Sequence, residues 1–216
     1  PVVDDHNRLL GRITIDDVVD LMEEEAEKDY QLASGLSDEV ESDDSLWDMT
    51  RARLPWLLIG LFGGLAGAYV IGAFNIERFP SMALFIPLIA AMGGNVGVQS
   101  AAIVVQGLAA GKSPADARLL PRLLKELSVG LLNGAICALI IMGASLALGY
   151  GWNLSLTVSM SLIAVIVFAA LFGTFVPLTL DKFKIDPALA TGPFITTAND
   201  IIGLIIYFGI GVFMAV

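Results

Sequence analysis

Gly192-Pro193-Phe194-Ile195-Thr196-Thr197-Ala198-Asn199-Asp200-Ile201-Ile202-Gly203 sits in an apolar run from Pro187 to Val216 in which Asp200 is the one charged side chain. A charge near the middle of a bilayer costs roughly 2.5 to 3.5 kcal/mol on insertion scales, so it persists where it faces protein or water. With the span opening at Gly192, the helical rise places Asp200 about 12 Å inside, close to the midplane. The stretch therefore predicts a membrane-crossing helix. Its carboxylate either belongs to an ion path or is a protonated, hydrogen-bonded group that joins helices.

Working outward, four more apolar runs have crossing length, so the expected spans are 55–74, 82–110, 127–149, 154–180 and 192–215. With 56% hydrophobic residues and a mean hydropathy of +0.78, the chain is expected to be an all-α integral membrane protein rather than a soluble domain. The net charge of −10 divides unevenly, because residues 1–54 hold 16 acids and 5 bases while the remainder is close to neutral. Two parts with different solvents thus join near Leu54. Arg51, Arg53, Lys112, Arg118, Arg122, Lys125, Lys182 and Lys184 fall on one side of five crossings, and Arg78 falls on the other. The positive-inside rule then puts the N-terminal region in the cytoplasm and Val216 outside, as a multi-pass protein of the cell (inner) membrane.

The second span is unusual. Pro87 is followed by Gly93-Gly94-Asn95-Val96-Gly97-Val98-Gln99-Ser100 in a run about 29 residues long. A break or kink near Gly93 is expected, with Asn95, Gln99 and Ser100 available to satisfy freed backbone, unless neighbouring helices do so. A weak echo links this span to the last: Pro87, Asn95 and Gly97 against Pro193, Asn199 and Gly203. Related breaks in oppositely directed spans point to an ion site between them. Gly60, Gly64 and Ala68, with Gly63 and Gly67, give the first span small-xxx-small faces, and Gly130 and Gly134 do the same in the third, beside Asn133 as an interhelical hydrogen-bonding group. These two spans read as mostly structural. Cys137 is the sole cysteine and reads as a free core thiol.

Residues 1–29 show a strand-turn-strand-helix pattern, with His6 as a solvated turn residue and no charged-then-apolar pattern of a cleavable signal. The chain is expected to begin inside a domain. This segment resembles the closing half of a cystathionine-β-synthase-type (CBS) domain through Gly11, Thr14 and Asp17. In that family the Thr and Asp can hold an adenosine ribose, which implies ATP or another adenine nucleotide as a partner; capping of the next helix by Thr14 is the plainer reading. From Gln31 to Arg53 runs an acidic connecting helix or linker with Asp38, Glu39, Glu41, Asp43, Asp44 and Asp48, ending in Trp47, Arg51 and Arg53 at a membrane interface. The carboxylates form either a solvated face or a divalent-cation-binding segment.

Three stretches together resemble the MgtE family of magnesium channels: Pro-Leu-Ile-Ala-Ala-Met-Gly-Gly-Asn-Val-Gly-Val-Gln-Ser at 87–100, Lys125-Glu126, and Asp-Pro-Ala-Leu-Ala followed by Thr-Thr-Ala-Asn-Asp within 186–200. The resemblance implies a CBS fragment at 1–30, a connector at 31–53 and a five-helix pore domain at 54–216. It also implies a homodimer in the lipid bilayer, with the second and fifth helices lining a pore, Asp200 forming its Mg²⁺ site, and closure when Mg²⁺ binds between cytoplasmic domain and connecting helix. On this basis Asn95, Gln99, Gly192, Thr196, Thr197 and Asn199 are pore-lining candidates, and Asp38, Glu39, Asp43, Asp44, Asp48 and Asp186 are regulatory metal candidates. Family members vary at the positions taken here by Thr196 and Gly192. The family's N-terminal domain and most of its CBS pair are expected to be missing from these residues.

Mg²⁺ gives up its water reluctantly and is usually held by one or two carboxylates with several waters retained. One Asp200 from each of two subunits suits that habit, with the Thr196 and Thr197 hydroxyls touching the hydration shell. No nucleophile-His pair, phosphate loop or His/Cys cluster points to an enzyme, and nothing points to nucleic acid. A Na⁺- or H⁺-coupled divalent-cation transporter remains the alternative, since a titratable Asp200 between broken helices would serve that too.

Overall fold

The computed structural model describes residues 1–37, 40–74, 80–110 and 119–214. Asp38, Glu39, Arg78, Lys112 and Arg118 lie outside the described residues. Two short antiparallel strands, β1 (Val2–Val3) and β2 (Leu9–Gly11), precede helix α1 (Ile15–Ala33). The helices that follow are α2 (Leu46–Ala73), the single turn α3 (Pro80–Ala83), α4 (Ile86–Ala109), α5 (Leu119–Ala147) and α6 (Trp152–Lys182). A 3-10 turn (Pro187–Ala190) then leads to α7 (Pro193–Phe213). Helices α2, α4, α5, α6 and α7 are each long and apolar enough to cross a bilayer, as the hydropathy of the sequence implies.

Local chemistry explains where these elements start and stop. Thr14 caps α1: its hydroxyl accepts from the Asp17 N–H at 3.3 Å, and the Asp17 carboxylate accepts from the Thr14 N–H and hydroxyl, both at 2.7 Å. Those hydrogen bonds hold the Asp17 carboxyl below its ordinary pKa. The far end of α1 closes as a Schellman motif, with Leu36 N–H on the Gln31 carbonyl and Gly35 N–H on that of Leu32, each at 3.0 Å. Gly35 takes φ +82° there, which a side chain would strain. Ser45 and Asp48 cap α2 in the same reciprocal way as α1. Helix α2 therefore begins seven residues before Arg53 and carries the end of the connector into the first span without interruption, past Pro55.

The expected break near Gly93 is not there. Helix α4 runs unbroken through Gly93, Gly94 and Gly97, and the interruption falls at Leu84 and Phe85, between α3 and α4. Pro87 lies in the first turn of α4, where a missing N–H costs no helical hydrogen bond. The Met82 carbonyl freed at the interruption accepts from Phe85 N–H at 3.1 Å and from the Tyr207 hydroxyl at 2.9 Å. Tyr207 thereby satisfies backbone that lipid could not.

Helix α6 is the centre, buried along much of its length and packed by α4, α5 and α7, while α2 rests on α7. In lipid, helices gain little from burying apolar surface against one another, so close packing of small residues matters more. Gly130 and Gly134 let α5 approach α6 until a Cβ on either would lie 3.2 Å from an α6 Cα. Asn133 lies exposed on α5 and has no hydrogen bond to another helix among the described residues. Cys137 is a half-buried free thiol packed on the core, and His6 is exposed in its turn.

Candidate functional site

Helix α7 starts at Gly192, whose φ of +63° and tight fit against the Ala33 carbonyl both favour glycine. Thr196 follows one turn later and returns its hydroxyl to the Gly192 carbonyl at 2.9 Å, leaving the oxygen lone pairs facing outward. One further turn brings Asp200 onto the same face. Its carboxylate is half-buried and receives no hydrogen bond from any described residue. Among the described residues it joins no two helices by a hydrogen bond.

Two grooves meet at Asp200. One, of about 630 Å³, is walled by Gly60, Gly63, Gly64, Gly67 and Ala68 of α2 together with Thr196, Thr197 and Leu204 of α7. The other, of about 360 Å³, is lined by Gly94, Asn95, Val98 and Gln99 of α4 with Thr196 and Asp200. Asn95 and Gln99 are one turn apart, exposed, and turned into this second groove. Gly94 allows the approach: a Cβ there would sit 3.1 Å from Thr196 Cγ2 and 3.8 Å from Asp200 Oδ1. The arrangement is one carboxylate amid amides, hydroxyls and small residues, suited to a cation that keeps its water.

Four expected pore-lining residues, Asn95, Gln99, Thr196 and Thr197, do line these grooves. Two do not. Gly192 contacts the end of α1 rather than either groove, and Asn199 is 1% exposed, turned toward Gly93 and Gly97 of α4 on the opposite side from the grooves. The echo between spans thus holds for Pro87 and Pro193, which both open helices, and fails for the asparagines. The α2 glycines were read as structural, yet they form a groove wall, because Gly60 and Gly64 have nothing within 4 Å of a modest side chain. Another pair escaped the sequence reading: the Ser100 hydroxyl donates to Glu126 Oε2 at 3.3 Å, tying α4 to α5. The Lys125-Glu126 step was its only signal.

The regulatory candidates are dispersed. Asp48 accepts from Ser45, Asp44 accepts from the Glu41 N–H at 2.8 Å, Asp43 is exposed, and Asp186 caps the 3-10 turn through the Ala188 N–H at 2.8 Å. Among the described residues no three His, Cys, Asp or Glu side chains converge as a metal cluster. Asp29 on α1 has its pKa raised by burial first, then by the charges of Asp186 and Glu25, with Lys28 opposing. The end of α1 also rests on α7, since Gly35 leaves space for the Pro193 ring and Gly192 for the Ala33 carbonyl.

A bundle of five apolar, membrane-length helices with one unpaired carboxylate beside a polar helix face defines an integral membrane domain. Residues 86–210 match the family described as MgtE, divalent cation transporter, and the chain belongs to that family. It is 36% identical to the magnesium transporter MgtE of Bacillus subtilis over 97% of its own length and 47% of that protein. It is likewise 36% identical to that of Enterococcus faecalis and 34% to that of Thermus thermophilus, over 97% of the chain and 46% and 47% of those proteins. The chain thus spans about half the length of the curated relatives it matches.

Proposed function

We propose that this chain forms the membrane path of a Mg²⁺ channel, in which hydrated Mg²⁺ is the cargo and Asp200 its central binding group. The observation that carries the reading is the Asp200 carboxylate itself: deep in an apolar helix, open to two grooves and bonded to no protein donor. Asn95, Gln99, Thr196 and Thr197 would orient the water around the ion without replacing it. The names of the relatives favour Mg²⁺ over other divalent ions.

A single chain leaves the grooves open on one side, so the proposal includes a two-fold dimer that brings two Asp200 carboxylates to one path. The acid-rich region before Arg51 and the bases that follow fit an N-terminal side in the cytoplasm. Residues 1–30, as a CBS fragment, and the connector would set opening in response to cytoplasmic Mg²⁺. Support comes from the seat of α1 on α7 and from the crowding of Asp29 with Asp186 and Glu25, which a divalent cation would relieve. Thr14 and Asp17 already bond one another, so a ribose would have to displace that pair.

Mg²⁺ uptake into proteoliposomes tests the reading. Asp200→Asn, close in shape but neutral, should lower uptake at least tenfold and remove divalent binding, with folding unchanged. Wild-type uptake by that variant overturns the assignment. Saturating uptake that follows an imposed Na⁺ or proton gradient would show a coupled transporter instead.

A further inference from the structure

Asn199 precedes Asp200 in the chain and meets opposite surroundings. It is 1% exposed, and neither its amide nitrogen nor its amide oxygen has a hydrogen-bond partner. Buried carboxamides are nearly always bonded, so an orphaned one calls for a physical reason. The surface it faces is bare backbone. A Cβ on Gly97 would overlap the Asn199 amide nitrogen, and a Cβ on Gly93 would lie 3.6 Å from the Asn199 main-chain oxygen. Behind Gly97, α6 comes equally close, because a Cβ on Gly173 would overlap the Gly97 carbonyl oxygen. Thr174, the next residue, is fully buried with its hydroxyl also unpartnered. The orphaned amide of Asn199 therefore lies where α4 meets both α6 and α7.

Glycine on α4 places no side chain in the way of a shift by α7. Successive residues stand about 100° apart around a helix, so a turn of α7 that carries the Asn199 amide to a partner also swings Asp200. We propose that Asn199 is a positioning residue for the Asp200 site: the seam between α4 and α7 is closed while Mg²⁺ is bound and parts when Mg²⁺ leaves, and the amide is bonded only when the seam is parted. This rests on the ion-site reading of Asp200. The closed seam is the arrangement in which the amide has no partner among the described residues.

Thiol accessibility in the intact protein tests this. With Cys137 replaced by alanine, Asn199→Cys should react with a cationic methanethiosulfonate at least tenfold faster in chelated, Mg²⁺-free buffer than in saturating Mg²⁺. Val165→Cys on α6 should stay unreactive in both. Equal rates at position 199 under the two conditions overturn the proposal. Uptake supplies a second readout, because alanine and serine are nearly equal in size and differ by a hydroxyl. Asn199→Ala should lower the maximal rate at least tenfold with half-saturating Mg²⁺ within twofold, and Asn199→Ser should recover part of that loss. Identical uptake by the two variants would make Asn199 a packing residue only. If Asp200→Asn transports normally, the ion-site reading has failed; if only the Asn199 results fail, that reading stands and the moving seam does not.

Discussion

Helix α7 is gripped on one side and left loose on the other. Toward α4 the side chains of Asn199 and Ile195 press onto Gly97, whose backbone is in turn held against Gly173 of α6. Toward α2 the glycines are no fewer, yet Gly63 and Gly67 alone meet side chains of α7 while Gly60 and Gly64 face open space. The same residue type thus serves two ends. In the seam it removes bulk so that helices can touch, and beside Asp200 it removes bulk so that a groove stays open.

Substitution should separate the two sides. Gly173→Ala is expected to have the largest effect on folding, because its methyl would enter the Gly97 peptide itself; a loss of about 3 kcal/mol, at the upper end of overpacking costs, is expected. Thermal unfolding in detergent measures it, and a variant as stable as the parent would mean the seam is looser than described. Asn95→Ala on the open side should leave stability alone and slow uptake by a few fold, less than Asp200→Asn, since an amide orients water but carries no charge. Equal losses from the two changes would show that α4, not the carboxylate, governs passage.

Smaller effects are expected near the end of α1. The raised pKa of Asp29 means that its contact with the 3-10 turn is fully stabilised below the ordinary carboxylate range and weakens as pH rises through the raised value. Asp29 is only partly buried, so solvent screening limits this to well under about 1 kcal/mol. Hydrogen exchange at Ser34 to Leu36 should accordingly be slower in mildly acid buffer once corrected for intrinsic rates, and Asp29→Asn should abolish the difference. Gly64→Ala should be the mildest change, within about 0.5 kcal/mol in stability, because nothing lies near the added methyl. A large loss of stability there would mean that a partner helix fills that groove.

Much of this was legible in the sequence and some was not, for physical reasons. Hydropathy and length located all five long helices, because lipid demands about 20 apolar residues for a crossing. Their ends were harder. Helix α2 starts at Leu46 rather than Pro55, since the Ser45 and Asp48 cap acts outside the apolar run. Asp200, Thr196 and Thr197 could be grouped by helical spacing, and Asn95 with Gln99 likewise. Asn199 could not be placed, because spacing says which residues share a face but not which face meets a neighbour. The same limit explains the straight α4: a Gly-Gly pair reads equally as a break or as a seat for another helix, and Val165, Thr196 and Asn199, distant in sequence, decide between them.

The hydrogen bond from Tyr207 to the Met82 carbonyl, with Met82 packed at Gly211, fixes one end of α7 to the turn between α3 and α4. Along the helix, Asp200 lies about 10 Å from Tyr207 and Gly192 about 22 Å from it. The helix is thus a lever with its fulcrum at the tyrosine. A swing that moves the Gly192 end by about 2 Å moves the carboxylate by about 1 Å, the ratio of those two arms. On the proposed reading, a displacement at Ala33 and Gly35 would reach Asp200 at roughly half its amplitude, so that coarse travel at one end of α7 becomes fine adjustment at the carboxylate.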